Sequence, residues 1–245
     1  MVILMSITPT RLFPGCVLSW PRDRPLIPWL HYESIEMAFP DQDSLNDFYV
    51  SGEDLVDYIT LVAFRLPPVS DLKRFSSLLE NALPIAKDYN VSFLIIDPWQ
   101  IAFDTIRERL LEIADLLLEE KICLCWNIRN DDISVSLIEL VKEVPEAYLL
   151  SIDLPYLKRT EDTLLHLIMD LGELVRVLHM SNSYLGHKGL PIFDSRGSLD
   201  YGSIIRLLKA LDAYCFLLLD YADEYKHLYR EDLLKVKEYI LSPVV

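Results

Sequence analysis

SFLIID at 92–97 and CFLLLD at 215–220 are unbroken apolar runs of strand length, each closed by a carboxylate. A strand that is apolar at every position has both faces buried, as in a parallel sheet covered on both sides; a sheet with one wet face would alternate. Working outward, runs of the same kind fall at Val2 to Ile7, Ile35 to Phe39, Ile59 to Phe64, Val91 to Ile96, Ile122 to Asn127, Ala147 to Asp153, Val175 to Ser181 and Tyr214 to Asp220. Between them lie segments with apolar residues at helical spacing, among them Asp71 to Lys87, Phe103 to Glu120, Ser134 to Glu143, Glu161 to Leu171 and Tyr201 to Leu211. Ser70 or Asp71, Thr160 and Asp200 stand where helix N-caps belong. Eight strand–helix repeats with no linker rich in Pro, Gly and Ser predict an α/β protein with one domain over 1–245, a single (β/α)8 TIM barrel with eight parallel strands.

Composition removes several classes. The 245 residues are 51% apolar and 25% charged, enough for a large core, which excludes disordered and fibrous chains. Lys plus Arg number 23 against 38 Asp plus Glu, a formal charge of −15 that repels phosphate backbones and predicts no nucleic-acid partner. No apolar stretch reaches membrane-spanning length, and the N-terminal segment lacks the basic start of a signal peptide, so the expectation is a cytoplasmic protein with no membrane partner. Cys16, Cys123, Cys125 and Cys215 lack the spacing of structural zinc and read as free, buried thiols. Seven glycines, two glutamines and abundant Ile and Leu fit a heat-adapted (thermophile) source. No GxGxxG or GxxxxGK[ST] loop follows a strand, so no nucleotide cofactor is expected.

In such barrels chemistry sits at the C-terminal ends of the strands. Those ends read Ser6, Glu36, Arg65, Asp97, Trp126 or Asn127, Asp153, His179 and Asp220. With a period of two, Ser151 shares a face with Asp153, Val177 and Ser181 with His179, and Leu218 with Asp220. Neighbouring strands lie about 5 Å apart, so an imidazole flanked by two carboxylates would meet at one point, a donor set suited to Mn2+, Mg2+, Fe2+ or Zn2+. The plainer alternative makes the carboxylates helix caps and His179 a hydrogen-bonded core residue. Arg65 reads either as an anion-binding group or as an ion-pair partner of Glu36 or Asp97. The stretch 182–200 is irregular and holds Gly186, Gly189 and Gly197; it reads as a lid on which His187, Lys188 and Arg196 offer donors, Lys188 more naturally as a solvated charge. The terminal segment 221–245 reads as an amphipathic helix with Tyr221, Tyr225 and Tyr229 on one stripe, packing on the barrel or in a homodimer contact.

The segments VRVLHMSNSYLG (175–186), GSLDYGSIIRLLKAL (197–211) and CFLLLDY (215–221) resemble the last third of the xylose isomerase-like TIM barrels, the superfamily of sugar isomerases, epimerases and endonuclease IV. SIEMAF (34–39) and SIDLPY (151–156) are similar to that superfamily's second and sixth strands. The resemblance implies a divalent-metal-dependent isomerase or epimerase acting on a small sugar or sugar-like hydroxy-carbonyl compound. It places the metal on Asp153, His179 and Asp220, and makes Asp220 the base. The superfamily's strand-five acid falls at Trp126, with Asn127 next to it, so that ligand is missing; Glu36 or Asp97 then stands to supply a carboxylate, Asp97 as second catalytic group. The substrate-contacting histidine of the sixth strand falls on Tyr156, the Asp after the seventh on Asn182. Glu36, Arg65, Asn127, Tyr156 and His187 are the expected substrate-binding residues. The altered site leaves a second reading open: a degenerate barrel that binds a small polyol or a protein partner without turnover. Five histidines are too few for the three-zinc nuclease centre, which is set aside.

Overall fold

The computed structural model describes residues 11–31, 33–55, 57–97, 103–129, 135–157 and 160–243. Eight parallel strands close into a barrel: β1 (Leu12–Ser19), β2 (Ser34–Ala38), β3 (Thr60–Arg65), β4 (Phe93–Ile96), β5 (Cys123–Ile128), β6 (Tyr148–Asp153), β7 (Val175–Met180) and β10 (Cys215–Leu219). The ring runs β1–β10–β7–β6–β5–β4–β3–β2 and back to β1. Helices α1 (Gln42–Ser51), α2 (Leu72–Asp88), α3 (Phe103–Glu120), α4 (Val135–Glu143), α5 (Thr160–Leu171), α6 (Tyr201–Ala210) and α7 (Tyr229–Leu241) return the chain between and after the strands. Asp71 and Asp200 cap α2 and α6, accepting hydrogen bonds from the backbone N–H of Arg74 and Ser203. Asp41 and Ser44 form a reciprocal capping box that starts α1.

Seven strands lie within two residues of the sequence expectation, and the first does not. Val2 to Ile7 and Ser6 lie outside the described residues; the strand that closes the barrel is Leu12–Ser19, LFPGCVLS. Pro14 and Gly15 interrupt its apolar run, which is why the pattern passed over it. Gly15 is required by proximity: a Cβ there would stand 2.1 Å from the Ser34 carbonyl oxygen on β2. The stretch 182–200 is also more ordered than expected, carrying an antiparallel hairpin of β8 (Asn182–Tyr184) and β9 (His187–Leu190). The tyrosine stripe is not helical. A 3-10 turn (Asp223–Leu228) separates Tyr221 from α7, and the buried Tyr221 and Tyr229 hydrogen-bond each other through the Tyr221 N–H and the Tyr229 hydroxyl, 3.1 Å.

Two apolar layers hold the barrel. The outer one packs helices on strands; Trp126 of β5 faces it, against Phe75 and Tyr148, so Asn127 and not Trp126 points inward. The inner one fills the barrel with Val17, Ile95, Cys125, Leu149, Val177 and Leu218. This plug closes the barrel below the C-terminal mouth, as inward side-chain layers do in this architecture. All four cysteines are free, and burial pushes the thiols of Cys16, Cys125 and Cys215 up, which makes them packing groups. No helix among the described residues is long and apolar enough to cross a membrane.

Candidate functional site at the barrel mouth

Above the apolar plug the strand ends turn polar. Glu36, Asn127, Ser151 and His179 are buried to 0% exposure, and Asp153 to 3%. Register shifts at Ile35/Glu36 and at Leu150/Ser151 fall directly before two of these residues, and such irregularities re-aim a side chain relative to its strand.

The polar groups form one chain of contacts around the mouth. Arg65 donates from Nε to Glu36 Oε1 (2.6 Å) and from Nη1 to Asp220 Oδ2 (3.0 Å). Glu36 Oε2 lies 2.7 Å from His179 Nε2, and His179 Nδ1 lies 3.3 Å from Ser151 Oγ. Ser151 donates its hydroxyl hydrogen to Asn127 Oδ1 (3.1 Å), and Asn127 Nδ2 donates to Asp97 Oδ1 (2.7 Å). Arg129 closes the series by bridging Asp97 Oδ2 (2.7 Å) and Asp153 Oδ2 (3.0 Å). Donor roles follow in order. Because Asp97 accepts, Asn127 offers its amide nitrogen there and its oxygen to Ser151. The His179 ring spans the mouth between the Glu36 carboxylate at Nε2 and the Ser151 hydroxyl at Nδ1.

Electrostatics agree with this pairing. Burial opposes ionisation of Glu36, but Arg65 and then His179 outweigh it and hold the carboxyl below its ordinary range. Asp220 behaves alike: burial raises it, and Arg65 followed by His179 brings it below the usual aspartate range. Asp153 goes the other way, since burial outweighs His179, Arg65 and Arg129 and pushes its carboxyl up. Arg65 is penalised by burial, yet Glu36 and Asp220 keep its guanidinium firmly charged.

Beside this network a cleft of about 380 Å3 opens where β1, β2, β3 and β4 end. Arg65 and Asp97 reach it, and Trp20, Phe39, Pro21, Pro40 and Pro68 supply its apolar wall. Arg65 Nη2 is buried and has no hydrogen-bond partner among the described residues. Asp97 and Asp220 retain 31% and 27% of their side-chain exposure, so both carboxylates are open at the mouth. They close β4 and β10, which stand four places apart whichever way the ring is followed and therefore face each other across it.

Of the expected site residues, Glu36, Arg65, Asp97, Asn127, Asp153, His179 and Asp220 are gathered in this network. Tyr156 stands at its rim, with Arg129 (5.6 Å to the ring centroid) and Lys188 over its ring. His187 is exposed on the hairpin, paired with Tyr184, and Arg196 is held by Asp194 through two side-chain hydrogen bonds, 2.9 and 2.6 Å. Lys188 is exposed, as expected of a solvated charge, and lies over the Tyr156 ring, with partial burial lowering its ammonium. Arg129 was missed. Its signal was present, since it follows Asn127 at the period of two that carries a side chain to the same face. Asn182, at the position of the resemblance's aspartate, binds backbone and not ligand, accepting from Leu199 N (3.0 Å) and donating to Leu199 O (3.1 Å).

The donor set does not fit a divalent cation. Asp153 pairs with Arg129, Asp220 and Glu36 pair with Arg65, and the two His179 nitrogens face Glu36 and Ser151. Among the described residues no three His, Cys, Asp or Glu side chains are grouped to hold a metal ion.

The fold has close counterparts among solved structures. A xylose isomerase domain protein from Planctomyces limnophilus superposes with a TM-score of 0.65 over 92% of this chain and 94% of its own, at 8% identity. The chain shares the TIM-barrel fold of that protein. A 3-keto-D-glucoside 4-epimerase from E. coli matches the barrel with a TM-score of 0.66 over 93% of this chain and 99% of that one, at 10% identity. A xylose isomerase-like TIM barrel protein from Mycobacterium smegmatis, in complex with magnesium, gives 0.64 over 92% and 89%, at 15% identity. No protein-family model and no curated protein matches the sequence. At these identities the likeness is one of fold.

Proposed function

We propose that the mouth takes a small, neutral, sugar-like hydroxy-carbonyl compound and isomerises or epimerises it, with Asp97 and Asp220 as the two acid–base groups. The observation that carries this reading is the placement of two partly open carboxylates on opposite sides of one mouth, with Arg65 reaching both Asp220 and the cleft. One carboxylate removes the proton from the carbon beside the carbonyl. The electron pair moves onto the carbonyl oxygen, which receives the free Nη2 edge of Arg65. For epimerisation the other aspartate enters the step as the neutral acid and gives its proton to the opposite face, and exchange with solvent then resets both groups; for isomerisation that acid protonates the carbonyl oxygen, the first aspartate returns the proton it took to the former carbonyl carbon, and the neighbouring hydroxyl gives its proton back to the second.

The charge of the mouth favours a neutral ligand. Four acidic side chains (Glu36, Asp97, Asp153, Asp220) outnumber the two arginines, Arg65 and Arg129, and this acidic balance welcomes hydroxyl donors and disfavours a phosphate dianion. The cleft volume is at the small end of ligand pockets and fits one monosaccharide-sized molecule. Incubation with unphosphorylated ketoses and aldoses in D2O, read by mass spectrometry, tests the reading. Deuterium uptake at the carbon beside the carbonyl is expected, falling by about 10^2-fold or more in Asp97→Asn and in Asp220→Asn. Uptake that is absent, or indifferent to both substitutions, refutes it.

Asn127, an amide beside the position where the resemblance places an acid (Trp126), favours the second reading, in which the mouth binds a polyol without turnover. Calorimetric binding of a sugar with no deuterium uptake would select it.

A further inference from the structure

We infer that the opposite, N-terminal end of the barrel carries a second binding site, for a small apolar monocarboxylate whose anionic group is taken by Arg176. A cleft of about 480 Å3 lies there. Its lining comes from residues that open or precede strands: Arg11 before β1, Phe93 at the head of β4, Cys123 at the head of β5, Arg176 second in β7 and Tyr214 before β10. Leu149 of β6 lines the cleft and also belongs to the inner apolar plug, so the plug separates this cleft from the mouth.

Arg176 is the group that calls for an anion. Its guanidinium lies over the Tyr214 ring, 4.3 Å from the centroid, and Arg11 lies over the same ring at 5.0 Å. The two cations are matched differently. Arg11 is answered by Glu173 and, at 3.6 Å, by Asp212, whereas Arg176 meets no carboxylate among the described residues, in a chain whose acids outnumber its basic groups by 15. Arg24, Arg206 and Arg230 also lack an ion pair, but they are exposed and water serves them; Arg176 is partly buried, and its Nε is buried with no hydrogen-bond partner among the described residues. A guanidinium drawn out of water without an acid carries a desolvation cost that a ligand anion offsets. With Nε turned into the protein, the terminal nitrogens are what Arg176 presents to the cleft, and two parallel N–H···O bonds to a carboxylate suit that planar edge. Phe93, Leu149, Pro145 and the Tyr214 ring give the rest of the ligand an apolar bed. The exposed Glu146 and Glu173 stand at the cleft and oppose a second negative charge, which selects a monoanion over a phosphate dianion or a dicarboxylate.

The test uses sodium benzoate as the probe, with benzyl alcohol as its neutral counterpart and inorganic phosphate as the dianion, titrated calorimetrically against the wild type, Arg176→Met and Arg176→Lys. Location is read from Cys123, which is half-buried in the cleft while Cys16, Cys125 and Cys215 are fully buried: its alkylation by N-ethylmaleimide is followed by mass spectrometry with and without benzoate. The wild type is expected to bind benzoate with a Kd of about 1 mM or lower, about tenfold or more tighter than benzyl alcohol or phosphate. Benzoate is expected to slow alkylation of Cys123 in proportion to the sites it fills. Arg176→Met is expected to lose about tenfold or more in affinity for benzoate and to bind benzyl alcohol as the wild type does, and Arg176→Lys, which keeps the charge without the fork, to fall between. Absence of binding at about 10 mM benzoate overturns the inference, as do equal affinities of the wild type and Arg176→Met, phosphate binding as tightly as benzoate, or a heat of binding that leaves Cys123 unprotected. Where Arg176→Met does not fold, the wild type decides through the ratio of benzoate to benzyl alcohol affinity and the protection of Cys123; a ratio near one overturns the inference. None of these readouts involves the mouth, so the outcome stands apart from that of the isomerase reading.

Discussion

Glu36 is the residue whose removal reads out the network most directly. Its two oxygens accept from Arg65 Nε at 2.6 Å and His179 Nε2 at 2.7 Å, and none of its surface reaches solvent. Glu36→Gln keeps the shape and deletes one charge, leaving Arg65 with Asp220 alone and His179 facing an amide. Breaking a buried pair by neutralising one partner costs about 3–5 kcal/mol, because the other charge stays behind without compensation. For a chain of this length each kcal/mol moves the melting temperature by about 2–4 °C, so the variant should melt about 6–20 °C lower at neutral pH. The sign with pH is fixed. Glu36 has its folded pKa depressed, so its contribution is fully present above its ordinary value of about 4.3 and is lost as pH falls through the lower, folded value. Denaturation of the wild type and Glu36→Gln at neutral pH and near pH 3 should therefore show a gap that narrows on acidification. The double variant Glu36→Gln/Arg65→Met should cost less than the sum of its parts by about 1 kcal/mol or more, since it removes both ends of one interaction. A Glu36→Gln protein within about 0.5 kcal/mol of wild type at neutral pH, or strict additivity in the cycle, would show that the pair is not coupled and refute the argument.

Two further outcomes follow from the same geometry. Asp153 has a folded pKa raised by burial, so the stability linked to its proton is present below the ordinary aspartate value and lost as pH rises through the folded value. Asp153→Asn, whose amide oxygen still accepts from Arg129, should be at least as stable as wild type at neutral pH, with the difference vanishing near pH 3; denaturation at the two pH values checks it, and a variant weakened only at neutral pH contradicts it. Asn182 anchors the loop after β7 through the backbone of Ser183, Ile192 and Leu199. Asn182→Ala strands those groups and should cost about 1–3 kcal/mol, with hydrogen exchange speeding at the Leu199 amide; unchanged exchange there would mean the loop is held otherwise.

The sequence by itself determined that the strands are parallel and doubly covered, because an unbroken apolar run such as CFLLLD tolerates no wet face, and that acids, an arginine and a histidine close those strands, because a period of two assigns each to a face. From these the barrel and seven members of its polar mouth were legible. The first strand was not, because a neighbour decides it: LFPGCVLS is a weak strand alone, and pairing with β2 and β10 on both sides, with Gly15 against Ser34, makes it one. The partners of the charges were not legible either. Arg65 and Asp220 are 155 residues apart, Glu36 and His179 are 143, and only closure of the ring brings them within hydrogen-bond reach. A local pattern says which residues face inward. Which carboxylate meets a guanidinium is settled by distances across the barrel, where burial leaves each charge only the partners that ring closure brings within a few ångströms.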